Sequence, residues 1–185
     1  MAWEVLSSRQ VLDLSPWLTV TTQQVRLPNG TVLADYVLAP SREFSMVVAV
    51  TDAGAVLLVR QYKHGLGHEA IELPAGYLDA PDEPPLHCAR RELREETGYA
   101  AEHWTPLGSF ALDANRGPTR CYFFLATGLR RAGEPHLDPS EALTVFSASP
   151  AEVLDLLLRG EIKCIACGAA LLLGLLRLGY FRPGG

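Results

Sequence analysis

The 185-residue chain has few cysteines, no excess of positive charge and no long apolar run. Four cysteines (Cys88, Cys121, Cys164 and Cys167) are too few for a disulfide scaffold of this size, so they read as reduced thiols of a cytoplasmic protein. No basic segment followed by an apolar run stands near Met1, so a secretion signal is not expected. The longest uncharged stretch, residues 164–176, is shorter than the about 20 apolar residues a bilayer requires, and it reads as a buried helix. No membrane partner is therefore expected. With 16 Lys and Arg against 21 Asp and Glu, net charge gives no support to a nucleic-acid-binding surface. Repeats and low-complexity tracts are missing as well.

What is present is an apolar content of 48%, enough to offset chain entropy, in a length that suits one domain with a small extra element. Residues 18–27 are rich in Thr and Val, Pro28-Asn29-Gly30 is a turn signal, and residues 31–38 resume the strand pattern. This predicts an N-terminal β-hairpin extension over residues 1–40, followed by the main domain over 41–185. Apolar strands fit residues 46–50 and 55–60, and the glycine-rich stretch 62–69 reads as loop. Pro84-Pro85 opens a helix from about Leu86 to Thr97, with Gly98 as its stop. Strands at 107–112, 121–126 and 143–146 follow, with residues 113–118 joining the first two. Ser149-Pro150-Ala151-Glu152 is a capping box that starts a helix over 150–159. Residues 164–178 form a second, largely buried helix. Zinc at the Cys164-x-x-Cys167 pair would need two more ligands at suitable spacing and none follows nearby, so the pair is expected to pack into that helix. Strands mixed with helices imply an α/β or α+β layered domain.

The acidity is concentrated. Residues 79–102 hold seven acids (Asp79, Asp82, Glu83, Glu92, Glu95, Glu96 and Glu102) against Arg90, Arg91 and Arg94, a local charge of −4 out of −5. Helical periodicity places Leu86, Ala89, Leu93 and Thr97 on one face and Glu92, Glu95 and Glu96 on another, at i, i+3 and i+4. Like charges at these spacings destabilise a helix, and Arg91 and Arg94 relieve only part of the repulsion. A hard divalent cation would resolve it; a solvated acidic face is the alternative.

The neighbouring residues carry a motif. Gly76, Glu83 and the run Arg91-Glu92-Leu93-Arg94-Glu95-Glu96-Thr97-Gly98-Tyr99 resemble the signature of the Nudix hydrolases: a glycine, five residues, a glutamate, seven residues, then R-E-U-x-E-E-x-G-U with U apolar. Both glycines, all four glutamates and the arginine are present. Six residues rather than five separate Gly76 from Glu83, and Tyr99 stands at a typically aliphatic position; neither change removes a carboxylate. Outside the motif, Leu57-Leu58-Val59-Arg60-Gln61-Tyr62-Lys63 and Glu72-Leu73-Pro74-Ala75-Gly76 resemble the ADP-ribose pyrophosphatase branch, as do the N-terminal extension and the ending Arg159-Gly160-Glu161-Ile162 with its apolar helix.

The resemblance implies a Nudix fold, a mixed β-sheet sandwiched between helices. It implies Mg²⁺-dependent hydrolysis, with Mn²⁺ able to substitute, of ADP-ribose or a related nucleoside diphosphate sugar to nucleoside monophosphate and sugar phosphate. Glu92 and Glu96 would ligate metal with Glu95 completing the cluster, and the backbone carbonyl of Ala75 or Gly76 would be a further ligand. Arg91 would orient the carboxylates and pair with Glu83. The resemblance would make Glu141 the proton acceptor for the attacking water, with Asp138 as second choice, unless both are simply exposed loop acids; Glu95 is the competing candidate. Arg60, Lys63 and Arg116 are candidates for phosphate contacts or are solvated surface cations. Tyr62 and Trp17 could stack on a base or pack in the core. The branch also implies a homodimer. Rivals are a Nudix hydrolase acting on a GDP-sugar or dinucleoside polyphosphate, and a Nudix-fold sensor that binds nucleotide without turnover.

Overall fold

The structure is a computed structural model that describes residues 2–80, 82–138 and 142–180. Contacts divide the chain into two units: Met1–Glu43 with Ala111–Arg120, and Phe44–Phe110 with Cys121–Gly185.

The first unit is an antiparallel sheet of three strands, β1 (Glu4–Leu14), β2 (Leu18–Arg26) and β3 (Val32–Leu38), in the order β1-β2-β3. The expected hairpin is β2 and β3; β1 is an addition to it. Its side chains are exposed on both faces except for a partly covered Leu6, so the sequence shows no alternation. Backbone pairing to β2, from Glu4 opposite Arg26 to Leu14 opposite Leu18, is what holds it. Residues 111–120 belong with this unit: the Ala39 N–H donates to Arg116 O, and Thr119 and Ser41 exchange two hydrogen bonds.

The second unit is built around β4 (Phe44–Ala49). β4 sits inside a mixed sheet of order β7-β4-β9-β8, antiparallel to β7 (Ala75–Tyr77) and parallel to β9 (Arg120–Arg131), with β8 (Tyr99–Ala111) on the far edge. Alternation along β4 sends side chains to two cores. Met46 and Val48 pack with Ala170, Leu171 and Leu175 of α3 (Ile165–Arg177), while Val47 and Ala49 pack with Ala89 and Leu93 of α1 (Pro85–Thr97). The mixed sheet therefore lies between helices, as the resemblance implied. Gly174 lets α3 approach closely, since a Cβ there would press on the Val48 side chain. A second sheet, order β10-β5-β6, is antiparallel and comprises β5 (Val56–Lys63), β6 (His68–Glu72) and β10 (Leu143–Ala148). The stretch 62–69, expected as loop, is strand at both ends and turn in the middle. β5 runs through Lys63 and β6 resumes at His68, leaving a turn at 64–67 in which Gly67 takes the positive φ of +73°. All four cysteines are free thiols, and among the described residues no helix is long and apolar enough to cross a membrane.

The helix α2 (Pro150–Leu158) opens with the expected capping box. The Glu152 N–H donates to Ser149 Oγ, and the Ser149 N–H and hydroxyl both donate to the Glu152 carboxylate. Those donors from Ser149 hold the Glu152 carboxyl below its ordinary value. A lowered carboxyl stabilises the folded state above the unfolded pKa, and that contribution fades as pH falls through the folded value. Replacing Ser149 by Ala is expected to lower the melting midpoint near neutral pH by about 3 °C. The difference from wild type should shrink below the ordinary carboxylate range, as thermal melts across pH would show.

Candidate active site

α1 is positioned before it is charged. Pro85 occupies its first turn, the buried Ser45 of β4 donates its hydroxyl to Pro85 O at 2.7 Å, and Gly98 ends the helix at a left-handed φ of +71° with its N–H on Arg94 O. Leu93 and Ala89 bury the apolar face, which turns Glu92 and Glu96 toward β7. Both acids are buried, at 8% and 3% exposure, whereas Glu95 is partly exposed. The Ala75 N–H donates to Glu96 Oε2 at 3.0 Å. Gly76 lies against the Glu92 carboxylate, and a Cβ at that position would overlap it. Here glycine is required by close approach rather than by backbone angle.

Arg91 gathers the acids. Its Nη1 donates to Glu92 at 2.6 Å and Glu95 at 3.2 Å, and Nη2 donates to Tyr77 O at 3.0 Å. Nε lies 3.2 Å from Asp79 and 3.5 Å from Glu83 without hydrogen-bond alignment, so those are Coulombic contacts. Burial opposes the guanidinium's charge, but Glu92 and Glu83 outweigh it and raise its pKa further. Glu83 in turn closes the lengthened loop after Gly76: its Oε2 accepts the Asp79 N–H at 2.7 Å, and His87 Nδ1 lies 2.9 Å from its Oε1. Burial pushes the Glu83 carboxyl up, yet Asp79, His87 and Arg91 together hold it below the usual range. Cys88, which the sequence did not single out, donates its thiol to Gly76 O at 3.3 Å. Burial pushes that thiol up to about 11, keeping it a neutral donor. Gly76 O is thereby turned onto α1, which leaves the Ala75 carbonyl as the better of the two predicted backbone ligands.

One guanidinium touching four carboxylates leaves the cluster net negative. Buried carboxylates beside a backbone turn form a hard oxygen donor set, the kind that suits Mg²⁺ or Mn²⁺ and not thiophilic metals. The residues fit such an ion.

The NUDIX domain pattern matches residues 41–165. The chain belongs to the Nudix family. Residues 3–36 match the nucleoside diphosphate sugar hydrolase N-terminal domain. The Nudix chain is 34% identical to an ADP-ribose pyrophosphatase of Mycobacterium tuberculosis over 183 residues, covering 98% of this chain and 87% of that protein. It is 31% identical to an ADP-ribose pyrophosphatase of Bacillus subtilis over 163 residues, covering 88% and 84%. A crystal structure of an ADP compounds hydrolase shares its fold, with a TM-score of 0.84 at 24% identity over 97% of this chain and 96% of that one. Nudix hydrolases generally use divalent metal ions.

The other described candidates divide between the two units. Lys63 joins Ala75 and Gly76 in lining a cavity of about 200 Å³, with Phe44, Gln61, Glu72, Tyr77 and Cys164 also in its wall. Lys63 Nζ is 3.0 Å from Glu72 Oε2, which also accepts from Gln61 Nε2 at 3.1 Å. Arg60 is not in that wall. Successive strand residues point to opposite faces, and its guanidinium stacks over the Phe146 ring at 5.5 Å. Arg116 is in the N-terminal unit, where it lines a cavity with Asp35, Tyr36 and Asn115. Tyr62 and Trp17 are exposed rather than packed in the core. Glu141 lies outside the described residues, while Asp138 is exposed. His136 went unassigned in the sequence; its N–H donates to Glu95 O at 2.8 Å, which ties the chain after β9 to α1.

Replacing Gly76 by Ala should leave the fold intact, because the atoms in the way are the end of a flexible side chain. The Glu92 carboxylate must move instead. The divalent-metal concentration for half-maximal activity is expected to rise about tenfold, measured by metal titration of the rate.

Proposed function

We propose that this chain hydrolyses the pyrophosphate bond of ADP-ribose or a related nucleoside diphosphate sugar, using Mg²⁺ and releasing nucleoside monophosphate and sugar phosphate. The observation that carries the reading is the convergence of buried Glu92 and Glu96 beneath Ala75 and Gly76, with Arg91 bridging the acids. The names of the two relatives above and the match of residues 3–36 support the sugar-linked substrate.

Glu92, Glu96, Glu95 and the Ala75 carbonyl would hold the ion. When bound, Mg²⁺ supplies positive field to the pyrophosphate and lowers the pKa of a coordinated water. The chain's own residues do the rest. Arg91 fixes the rotamers of Glu92 and Glu95 so that the carboxylates are preorganised rather than recruited. Glu95 is the partly exposed member of the cluster, which supports it as acceptor of the attacking water's proton; Glu141 is the competing acceptor. Lys63, 41% exposed at the side chain, offers a point charge to a phosphate in the adjoining cavity. By resemblance the working form is a homodimer, and free thiols throughout suit a reducing compartment such as the cytoplasm.

The test is a substrate panel of ADP-ribose, a GDP-sugar and a dinucleoside polyphosphate with Mg²⁺, reading nucleoside monophosphate release. The highest kcat/KM on ADP-ribose or another diphosphate sugar is expected. Saturable ADP-ribose binding with no turnover on any substrate would make the protein a sensor and sink the proposal. A Glu141→Gln variant with unchanged rate would leave Glu95 as the base.

A further inference from the structure

Glu72 of β6 and the Cys164-x-x-Cys167 pair come together although they are remote in sequence: one carboxylate oxygen and the two sulfurs lie within 4.8 Å of one another. Cys164 is the N-cap of α3 and Cys167 stands on its first turn, so both sulfurs face the same side of the helix entrance. Cys167 is fully buried, and Cys164 is half-buried and opens into the cavity of about 200 Å³ beside Ala75 and Gly76. Two thiols and a carboxylate form a donor set quite unlike the all-oxygen cluster on α1.

We propose that Glu72, Cys164 and Cys167 form a binding site for a thiophilic divalent cation of the zinc class, with its fourth position open to the cavity. No further ligand stands near the pair in sequence; the third donor comes from a distant strand. Zinc bonds of about 2.3 Å to sulfur and about 2.0–2.2 Å to oxygen put tetrahedral ligands roughly 3.4–3.8 Å apart. Closing from 4.8 Å to that spacing is a movement of about 1 Å. The Ala166 and Cys167 N–H groups at the start of α3 favour negative charge on the Cys164 sulfur. Lys63 and Gln61 both contact Glu72 Oε2, so the cation either takes the other carboxylate oxygen or displaces Lys63. Occupancy ties β6 to α3 and changes the wall of the cavity that also holds Lys63. The site is independent of the hydrolytic reading.

Cobalt is the probe, because a thiolate–cobalt charge-transfer band is a signature that the carboxylate cluster on α1 cannot give. The full chain, reduced and freed of reductant, is titrated with Co²⁺ in excess Mg²⁺. The expected result is that band with tetrahedral visible absorption, saturating at one equivalent and bleached by Zn²⁺. Cys164→Ser should abolish it, Glu72→Gln should weaken cobalt affinity at least about tenfold, and Zn²⁺ should raise the melting midpoint of wild type but not of Cys164→Ser. No band in the wild-type protein, a band that survives Cys164→Ser, or an unchanged affinity in Glu72→Gln would overturn the proposal. The wild-type titration and zinc chase decide it even if a variant fails to fold.

Discussion

Glu96→Gln is expected to lower the rate of nucleoside monophosphate release by about three orders of magnitude while leaving the protein folded. The two effects separate because of how Glu96 is held. Its Oε2 accepts the Ala75 N–H at 3.0 Å, and a glutamine can present its amide oxygen to the same donor. What the amide cannot supply is charge. A neutral side chain at a buried metal-ligand position would forfeit several kcal/mol of metal binding, and each ~1.4 kcal/mol is tenfold in rate. Steady-state kinetics at saturating Mg²⁺, with circular dichroism as the fold control, checks the pair of outcomes. Retention of activity within tenfold would remove Glu96 from the metal site.

Arg91→Met should produce the largest loss of stability of any single change at the site. Its side chain is 21% exposed and contacts Asp79, Glu83, Glu92 and Glu95. Methionine keeps much of the stem's packing but leaves buried Glu92 and largely buried Glu83 without the guanidinium they share. Removing one partner of a buried ion pair costs about 3–5 kcal/mol, and the residual exposure places this case near the lower end. For a chain of this length that is a fall in melting midpoint of about 10 °C. Added divalent cation should recover part of it, because it neutralises the same carboxylates. A midpoint within about 2 °C of wild type would show that solvent, not Arg91, compensates those acids.

Local features of the sequence were the readable ones. Pro84-Pro85, the period of Leu86, Ala89 and Leu93, and Gly98 define α1 to within a residue, and Ser149 with Glu152 defines the start of α2. Both rest on interactions spanning three or four residues. β1 was legible only as part of a β-rich N-terminus, with no bounds of its own, because almost none of its side chains is covered on either face; strand residues 62–63 and 68–69 escaped because a glycine-rich turn hid the ladder on either side. At the site, spacing along one helix was enough to group Glu92, Glu95 and Glu96. Arg60 shows the limit of that reasoning, since one residue of strand phase separates it from Gln61 and Lys63 in the cavity wall. Glu72 meeting Cys164 and Cys167, and Cys88 reaching Gly76 O, depend on tertiary approach that no spacing encodes.

The parallel pairing of β4 with β9 also sets a timetable. β7 hangs on one edge of β4, and the other edge is completed only by residues 121–126. Every acid of the α1 cluster precedes that strand, so a growing chain displays the whole motif before it can seat it. Parallel strands joined across so long a crossover form late, because the loop entropy is lost before the ladder is gained. A chain cut before residue 120 would carry all the glutamates and the arginine and still lack the strand that anchors their support. Assembly of the acidic cluster is therefore paced by a strand that contributes no acid to it.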